Sequence, residues 1–143
     1  MVKIMERISK TQMFMDIAKV LAMRGNCGRG QVGALLTREN RIISTGYNGP
    51  LRGSADCSAD HCDLNSHCKR AIHAEVNAIY FAAKQGISTD NSTLYCTHSP
   101  CVNCAKAIVQ AGIERVIFLQ KYDEEGIKVL MFNGVKIAHW DGK

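Results

Sequence analysis

Hydrophobic residues along this chain recur at two spacings, one typical of helices and one of strands. Apolar side chains three and four positions apart predict a helix over residues 10–24, and the residues at its start have capping-box spacing. Two runs rich in Val, Ile and Leu follow at residues 32–36 and 41–47. They are typical of strands, so this part of the chain predicts a helix followed by a β-hairpin, with residues 37–40 as the connection.

The rest of the chain predicts helices that alternate with strands. A helix over residues 73–84 is apolar nearly all round, as expected of a helix buried within its domain. Further strands are predicted at 93–97, 115–119 and 135–139, separated by helices at 101–111 and 123–132. Strands that alternate with helices after a leading hairpin indicate an α/β sheet with helices on both faces.

Residues 49–69 show no periodicity. This stretch carries five side chains that could bind zinc, which are Cys57, His61, Cys62, His67 and Cys68. A loop of this length is uncommon in a compact domain unless it is functional or held by something. We therefore predict one domain over residues 1–143, with a Cys-rich insert at about residues 50–69.

Composition narrows the possible functions. The chain has 143 residues, of which 46% are hydrophobic and 22% charged, as in ordinary globular proteins. It has no apolar run long enough for a bilayer and no apolar signal-peptide core at its start, so we expect a cytoplasmic protein without a membrane partner. Seven Cys in such a chain favour metal binding or catalysis over disulfides. The net charge of +5 suits an anionic ligand such as a nucleotide, but no Lys/Arg run marks a nucleic-acid-binding tail.

The candidate chemistry lies at the starts of two predicted helices. Cys101 and Cys104 lie on one face of a helix start, close enough to hold one ion, and His73 can supply a third ligand from the neighbouring helix. Three protein ligands and a water make a catalytic zinc, which lowers the pKa of that water to about 7. Glu75 can then carry protons. A His-x-Glu followed by Pro-Cys-x-x-Cys is the pattern of zinc nucleobase deaminases, and half of a zinc finger is disfavoured because no second Cys-x-x-Cys is present.

The chain resembles the cytidine deaminase superfamily and, within it, the deoxycytidylate (dCMP) deaminases. The resemblance covers about residues 10–138 and rests on four segments, which are residues 32–34, 46–49, 72–79 and 100–108. It implies a three-layer cytidine-deaminase-like fold with a five-stranded mixed sheet and helices on both faces. It also implies zinc-dependent hydrolysis of dCMP to dUMP and ammonia, which would feed thymidylate synthesis.

The resemblance also implies roles for individual residues. Glu75 would be the proton shuttle, the backbone N–H of Ala74 and the carbonyl of Ser99 would meet the pyrimidine edge, and Asn48 would bind the sugar hydroxyl with Val32 packed near the base. Phosphate contacts are expected from Arg29 or from the segment with Lys121 and Tyr122, although either basic side chain could instead be a solvated surface charge. His98 departs from the family pattern, which has a small or apolar residue at that position.

Some members of the family carry a second, structural zinc in the Cys-rich loop. For that site we favour Cys27, Cys57, Cys62 and Cys68, with His67 as an alternate ligand; reduced cysteines in a loop are the competing interpretation. Family members form hexamers, and many are activated by dCTP, with Mg²⁺ accompanying the effector, and inhibited by dTTP. The rival functions are a tRNA adenosine deaminase or other nucleobase deaminase, and an inactive nucleotide-sensing binder.

Overall fold

The computed structural model describes residues 1–58 and 68–143 of the chain. In these ranges the helices are α1 (Lys10–Ala22), α2 (Ala74–Lys84), α3 (Val102–Gln110) and α4 (Glu124–Phe132). The strands are β1 (Gly33–Arg38), β2 (Arg41–Tyr47), β3 (Gly49–Pro50), β4 (Ala71–Ile72), β5 (Thr93–His98), β6 (Arg115–Gln120) and β7 (Lys136–His139). Among the described residues, no helix has the length and apolar character that crossing a bilayer requires.

The main sheet has five strands in the order β2-β1-β5-β6-β7. β1 is antiparallel to both β2 and β5, whereas β5, β6 and β7 run parallel to one another. Each parallel step is made through a helix, α3 for the first and α4 for the second, as parallel connections require. The predicted mixed five-stranded sheet is therefore confirmed.

Side chains that alternate along the strands divide the core into two layers. Ala34, Leu36, Leu94 and Cys96 belong to a cluster that also contains buried residues of α2, α3 and α4. Their neighbours Leu35 and Tyr95 belong to a second cluster, together with Phe14, Met15 and Ala18 of α1. Helices thus cover both faces of the sheet, which confirms the three-layer architecture.

Three predicted helix starts differ from the structure in the same way. His73, Cys101 and Asp123 were expected to be the first helical residues, but each is an N-cap with extended backbone. The hairpin connection is also shorter than residues 37–40, because Glu39 and Asn40 turn the chain alone with φ of 52° and 59°. A tight two-residue hairpin loop requires positive φ at both of its residues, and Glu39 and Asn40 meet that requirement.

β3 and β4 form a small antiparallel sheet in which Gly49 pairs with Ile72. Strands of two residues carry no periodic signal, so the sequence analysis did not predict them. Their pairing joins the chain after β2 to the residue that precedes His73, and it therefore brings the end of the hairpin to the start of α2.

Gly46 allows α2 to lie directly against β2. A Cβ at this position would collide with the carbonyl oxygen of Ala74 and the backbone nitrogen of Ala78. Backbone atoms of a helix cannot give way as a flexible side chain can, so a larger residue would push the whole helix away from the sheet.

We predict that Gly46→Ala lowers the free energy of unfolding by about 2 kcal/mol or more, because the added methyl overpacks this contact. Gly49→Ala is the matched control, since a Cβ there meets no atom closer than 3.6 Å and its φ is not left-handed. Denaturant titration of both variants measures the difference. Equal midpoints for Gly46→Ala and Gly49→Ala would contradict the packing of α2 on β2.

Candidate active site

The starts of α2 and α3 meet beside the carboxyl ends of β5 and β6. His73 is the N-cap of α2 with φ −76° and ψ 151°, and Cys101 is the N-cap of α3 with φ −72° and ψ 171°. In each case the N-cap carbonyl accepts the first helical hydrogen bond, from Asn77 N at 2.9 Å and from Ala105 N at 2.8 Å. Both side chains therefore leave the backbone just before the helix begins.

Extended backbone at His73 explains how His73 and Glu75 reach the same place. Two residues apart within one helix, they would point to nearly opposite sides. Here His73 lies outside the helix, and its Nδ1 is 3.3 Å from Cys104 Sγ while Glu75 Oε2 is 3.7 Å from the same sulfur. The helix start, rather than a helix face, brings the imidazole and the carboxylate together.

His73, Cys101 and Cys104 form a cluster that could hold a metal ion. Their ligand atoms all lie within 4.8 Å of one another, and His73 Nδ1 is 3.6 Å from Cys101 Sγ. Tetrahedral zinc with ordinary Zn–S and Zn–N bonds spaces such atoms about 3.5–3.8 Å apart. The donor set and its spacing therefore fit zinc, with a fourth position left for a water or a substrate.

Protons are shared unequally among these three side chains. Hydrogen bonds with Cys104 and, secondarily, with His73 lower the pKa of Cys101 to about 3. Its interaction with Cys101 and its burial raise the pKa of Cys104, and a hydrogen bond with Cys101 raises the pKa of His73. Since metal ligands must be deprotonated, zinc binding would require both sulfurs as thiolates and the coordinating nitrogen of His73 without a proton.

Glu75 is the buried acid beside the cluster. Its side chain is 3% exposed, and burial raises the pKa of the carboxyl above its usual value. Cys96 lies in β5, beneath α2, and its thiol donates a hydrogen bond of 3.4 Å to Glu75 Oε1. A carboxyl whose pKa is raised towards neutrality can both accept and release a proton, as general acid–base chemistry requires.

Cys96 is fully buried in β5. The contact between its thiol and Glu75 was not predicted. It depends on how β5 packs under α2, and the local sequence carries no signal of it.

A cavity of about 530 Å³ opens above the cluster. The predicted site residues that line it are Cys27, Arg29, Val32, Asn48, Cys68, His73, Ala74, Glu75, Ser99, Cys101, Lys121 and Tyr122. Gln120, Asp123 and Gly30 line it as well and were not singled out from the sequence. The volume falls within the range of sites that bind small molecules.

Asn48 holds the loop that forms one side of this cavity. Its Oδ1 accepts a hydrogen bond from Val32 N at 2.8 Å, and its Nδ2 donates to the carbonyl of Gly30 at 2.8 Å. A side-chain amide has two N–H groups, so one remains to contact a ligand. Asn48 therefore orders the cavity wall in addition to any contact with a sugar.

His98 and Lys121 line another part of the cavity wall. The His98 ring meets the ring of Tyr122 edge to face at 6.4 Å, its Nδ1 is 2.9 Å from the Thr97 hydroxyl, and burial lowers its pKa. A neutral imidazole at this wall agrees with a space-filling role. Lys121 Nζ lies 2.7 Å from Glu124 Oε1 in an exposed ion pair.

The candidate ligands of the second zinc are only partly described. Cys62 and His67 lie outside the described residues, while Cys27 and Cys68 line the cavity. The backbone N–H of Cys57 donates to Asn26 Oδ1 at 2.7 Å, which brings Cys57 beside the residue preceding Cys27. Within residues 1–58 and 68–143, the group of side chains that could hold a metal is His73, Cys101 and Cys104, so a second zinc stays a prediction.

Comparison with known proteins identifies the family of this fold and site. The family model described as the cytidine and deoxycytidylate deaminase zinc-binding region matches residues 8–120. ComE operon protein 2 of Bacillus subtilis is 45% identical over 119 residues, which are 82% of this chain and 63% of that protein. The deoxycytidylate deaminase of Saccharomyces cerevisiae is 39% identical over 136 residues, which are 89% of this chain and 43% of that protein. The chain thus spans less than two thirds of these two relatives.

A solved structure resembles the chain over nearly its whole length. The dCMP deaminase from cyanophage S-TIM5, in complex with dCMP and dUMP, is 36% identical with a TM-score of 0.83. The match covers 90% of this chain and 95% of that one. The three-layer fold is therefore that of a dCMP deaminase.

We predict that Cys104→Ser lowers the zinc content by about one ion per chain, because it replaces one of the three candidate ligands of that ion with a hydroxyl that zinc binds poorly. Cys96→Ser is the matched control, being another buried Cys near Glu75 that is outside the ligand cluster. Metal analysis of the purified variants distinguishes them. Unchanged zinc in Cys104→Ser would exclude this residue as a ligand.

Proposed function

The chain belongs to the cytidine and deoxycytidylate deaminase family, and from that membership we propose that it hydrolyses dCMP to dUMP and ammonia. The observation that carries the proposal is the cluster of His73, Cys101 and Cys104 with the buried carboxyl of Glu75 against it. This arrangement lies at a cavity of about 530 Å³. The similarity to a dCMP deaminase in complex with dCMP and dUMP supports the nucleotide substrate.

His73, Cys101 and Cys104 would hold the zinc. When bound, zinc supplies a water whose pKa is lowered to about 7. Glu75 accepts a proton as water adds to C4 of the pyrimidine and passes it to the ring nitrogen. It then accepts the proton of the new C4 hydroxyl and passes it to the departing amine. One water is consumed, the C4–N bond breaks, and ammonia and dUMP are released.

The substrate would be bound by the walls of the cavity. Ala74 is the first residue of α2, so its backbone N–H has no partner within the helix and is available to the pyrimidine edge. The Ser99 carbonyl would accept from the base, Val32 would pack near it, and the remaining N–H of Asn48 would meet the sugar. Arg29 and the segment with Tyr122 line the same cavity and are the proposed phosphate side.

The family resemblance supports four further parts of the proposal. A structural zinc would be held by Cys27, Cys57, Cys62 and Cys68, with His67 as the alternate ligand. The protein would assemble as a homohexamer, for which Tyr80 and Phe81 offer exposed apolar surface on α2. dCTP with Mg²⁺ would activate it and dTTP would inhibit it, and its dUMP would feed thymidylate synthesis.

The substrate is tested by measuring ammonia release from dCMP, dCTP, cytidine, deoxycytidine and an adenosine-bearing RNA stem-loop. We expect dCMP to be the preferred substrate. Preference for the stem-loop would instead favour a tRNA adenosine deaminase. Release from none of the five would contradict the proposed activity and leave the inactive nucleotide-sensing binder, which a dCMP-binding measurement then tests.

We predict that Glu75→Gln lowers kcat by about 10²-fold to 10⁴-fold while zinc content stays at the wild-type level, because the amide cannot carry a proton and is not a metal ligand. Glu125→Gln is the control, since Glu125 forms an exposed ion pair with Lys128 on α4. Steady-state kinetics and metal analysis are measured on both variants. A kcat for Glu75→Gln within threefold of the control would rule out this carboxyl as the proton shuttle.

A further inference from the structure

Ser99 binds the segment that follows β6 through both its backbone and its side chain. Its Oγ accepts hydrogen bonds from Tyr122 N at 2.7 Å and from Asp123 N at 3.0 Å. Its own backbone N–H donates to the carbonyl of Gln120 at 2.8 Å. With 1% exposure, Ser99 is shielded from the water that would otherwise compete for these bonds.

The other end of the same segment is held against a proposed zinc ligand. Asp123 caps α4 by accepting from Gly126 N at 3.0 Å. Gly126 lies so close to Pro100 and Cys101 that a Cβ would collide with the carbonyl oxygen of Pro100 and the carbonyl carbon of Cys101. Ser99 therefore fixes Tyr122 on one side and α4 fixes it on the other. Both contacts keep the position of Tyr122 constant with respect to the backbone of Cys101.

The Tyr122 side chain needs such an anchor because the core does not hold it. It is 72% exposed, and its described ring contact is the edge-to-face one with His98. An exposed aromatic residue on a connecting segment can contact a ligand reproducibly only if its backbone is ordered. Two hydrogen bonds to one buried hydroxyl provide that order here.

We propose that Ser99 is a positioning residue whose hydroxyl holds Tyr122 at the cavity wall, so that the nucleotide meets a wall that is already ordered. The proposal rests on the proposed function for the identity of the ligand. The role belongs to Ser99 Oγ and is separate from the base contact proposed for its carbonyl. Losing the hydroxyl should weaken nucleotide binding more than the chemical step, because Glu75 and the zinc ligands are unaltered.

The test compares Ser99→Ala with Ser92→Ala. Ser92 is also fully buried and its hydroxyl also bonds to backbone, donating to the Thr89 carbonyl at 2.6 Å, but it does not line the cavity. We expect Ser99→Ala to raise KM for dCMP about tenfold, with kcat within about threefold and zinc content unchanged. Ser92→Ala should leave KM at the wild-type value.

Amide hydrogen exchange measured by NMR gives a readout that does not depend on activity. In the wild-type protein the Tyr122 and Asp123 amides should exchange at least about tenfold more slowly than the same residues in an unstructured peptide. Ser99→Ala should remove this protection and Ser92→Ala should preserve it. The wild-type measurement stands even if Ser99→Ala does not fold.

The proposal is overturned if the two amides are unprotected in the wild-type protein, or if Ser99→Ala leaves their protection or KM unchanged. It is also overturned if Ser99→Ala loses zinc, since the residue would then act through Cys101. If the wild-type protein does not turn over dCMP, the proposed function fails, and hydrogen exchange alone then decides whether Ser99 orders the segment.

Discussion

The meeting of two helix starts is the constraint on which the rest of this structure depends. His73 and Cys101 are N-caps, and their extended backbone directs both side chains to one point beside the ends of β5 and β6. Helix starts carry unpaired N–H groups and partial positive charge, which favour thiolates and a developing anion. The candidate metal ligands, the first free N–H of α2 and the carboxyl of Glu75 all derive their positions from this junction.

Close backbone packing maintains the junction. Gly46 lets α2 lie on β2, and Gly126 lets α4 lie against Pro100 and Cys101. In both places a single Cβ would displace a helix. The position of the site therefore depends on glycine at these two positions as well as on the side chains that line it. The carboxyl ends of parallel strands are also where α/β sheets place their ligands, which agrees with a cavity lined by residues that follow β5 and β6.

Much of the fold follows from local patterns. Apolar spacing located the helices and the strands of the main sheet to within about two residues, because these elements bury one face each. The pattern of His73, Glu75, Cys101 and Cys104 located the candidate metal cluster, because zinc ligands often recur at short, characteristic spacings such as Cys-x-x-Cys. That His73 and Cys101 are N-caps was harder to predict from the sequence, since helix boundaries depend on cap geometry.

What the sequence did not reveal depends on contacts between distant segments. The hydrogen bond from Cys96 to Glu75 requires β5 to pass beneath α2. The hydrogen bonds of Asn48 with Gly30 and Val32 require the loop before β1 to fold back onto the end of β2. Ser99 binds Tyr122 across two parallel strands. None of these pairs has a characteristic spacing, so each becomes visible only once the sheet order is known.

Turnover of dCMP by the purified protein before and after metal removal tests the central claim most directly. The account predicts that the protein releases one ammonia per dUMP formed, that a chelator abolishes this release, and that added zinc restores it. Undiminished dCMP turnover by protein shown by metal analysis to be free of zinc would contradict the account.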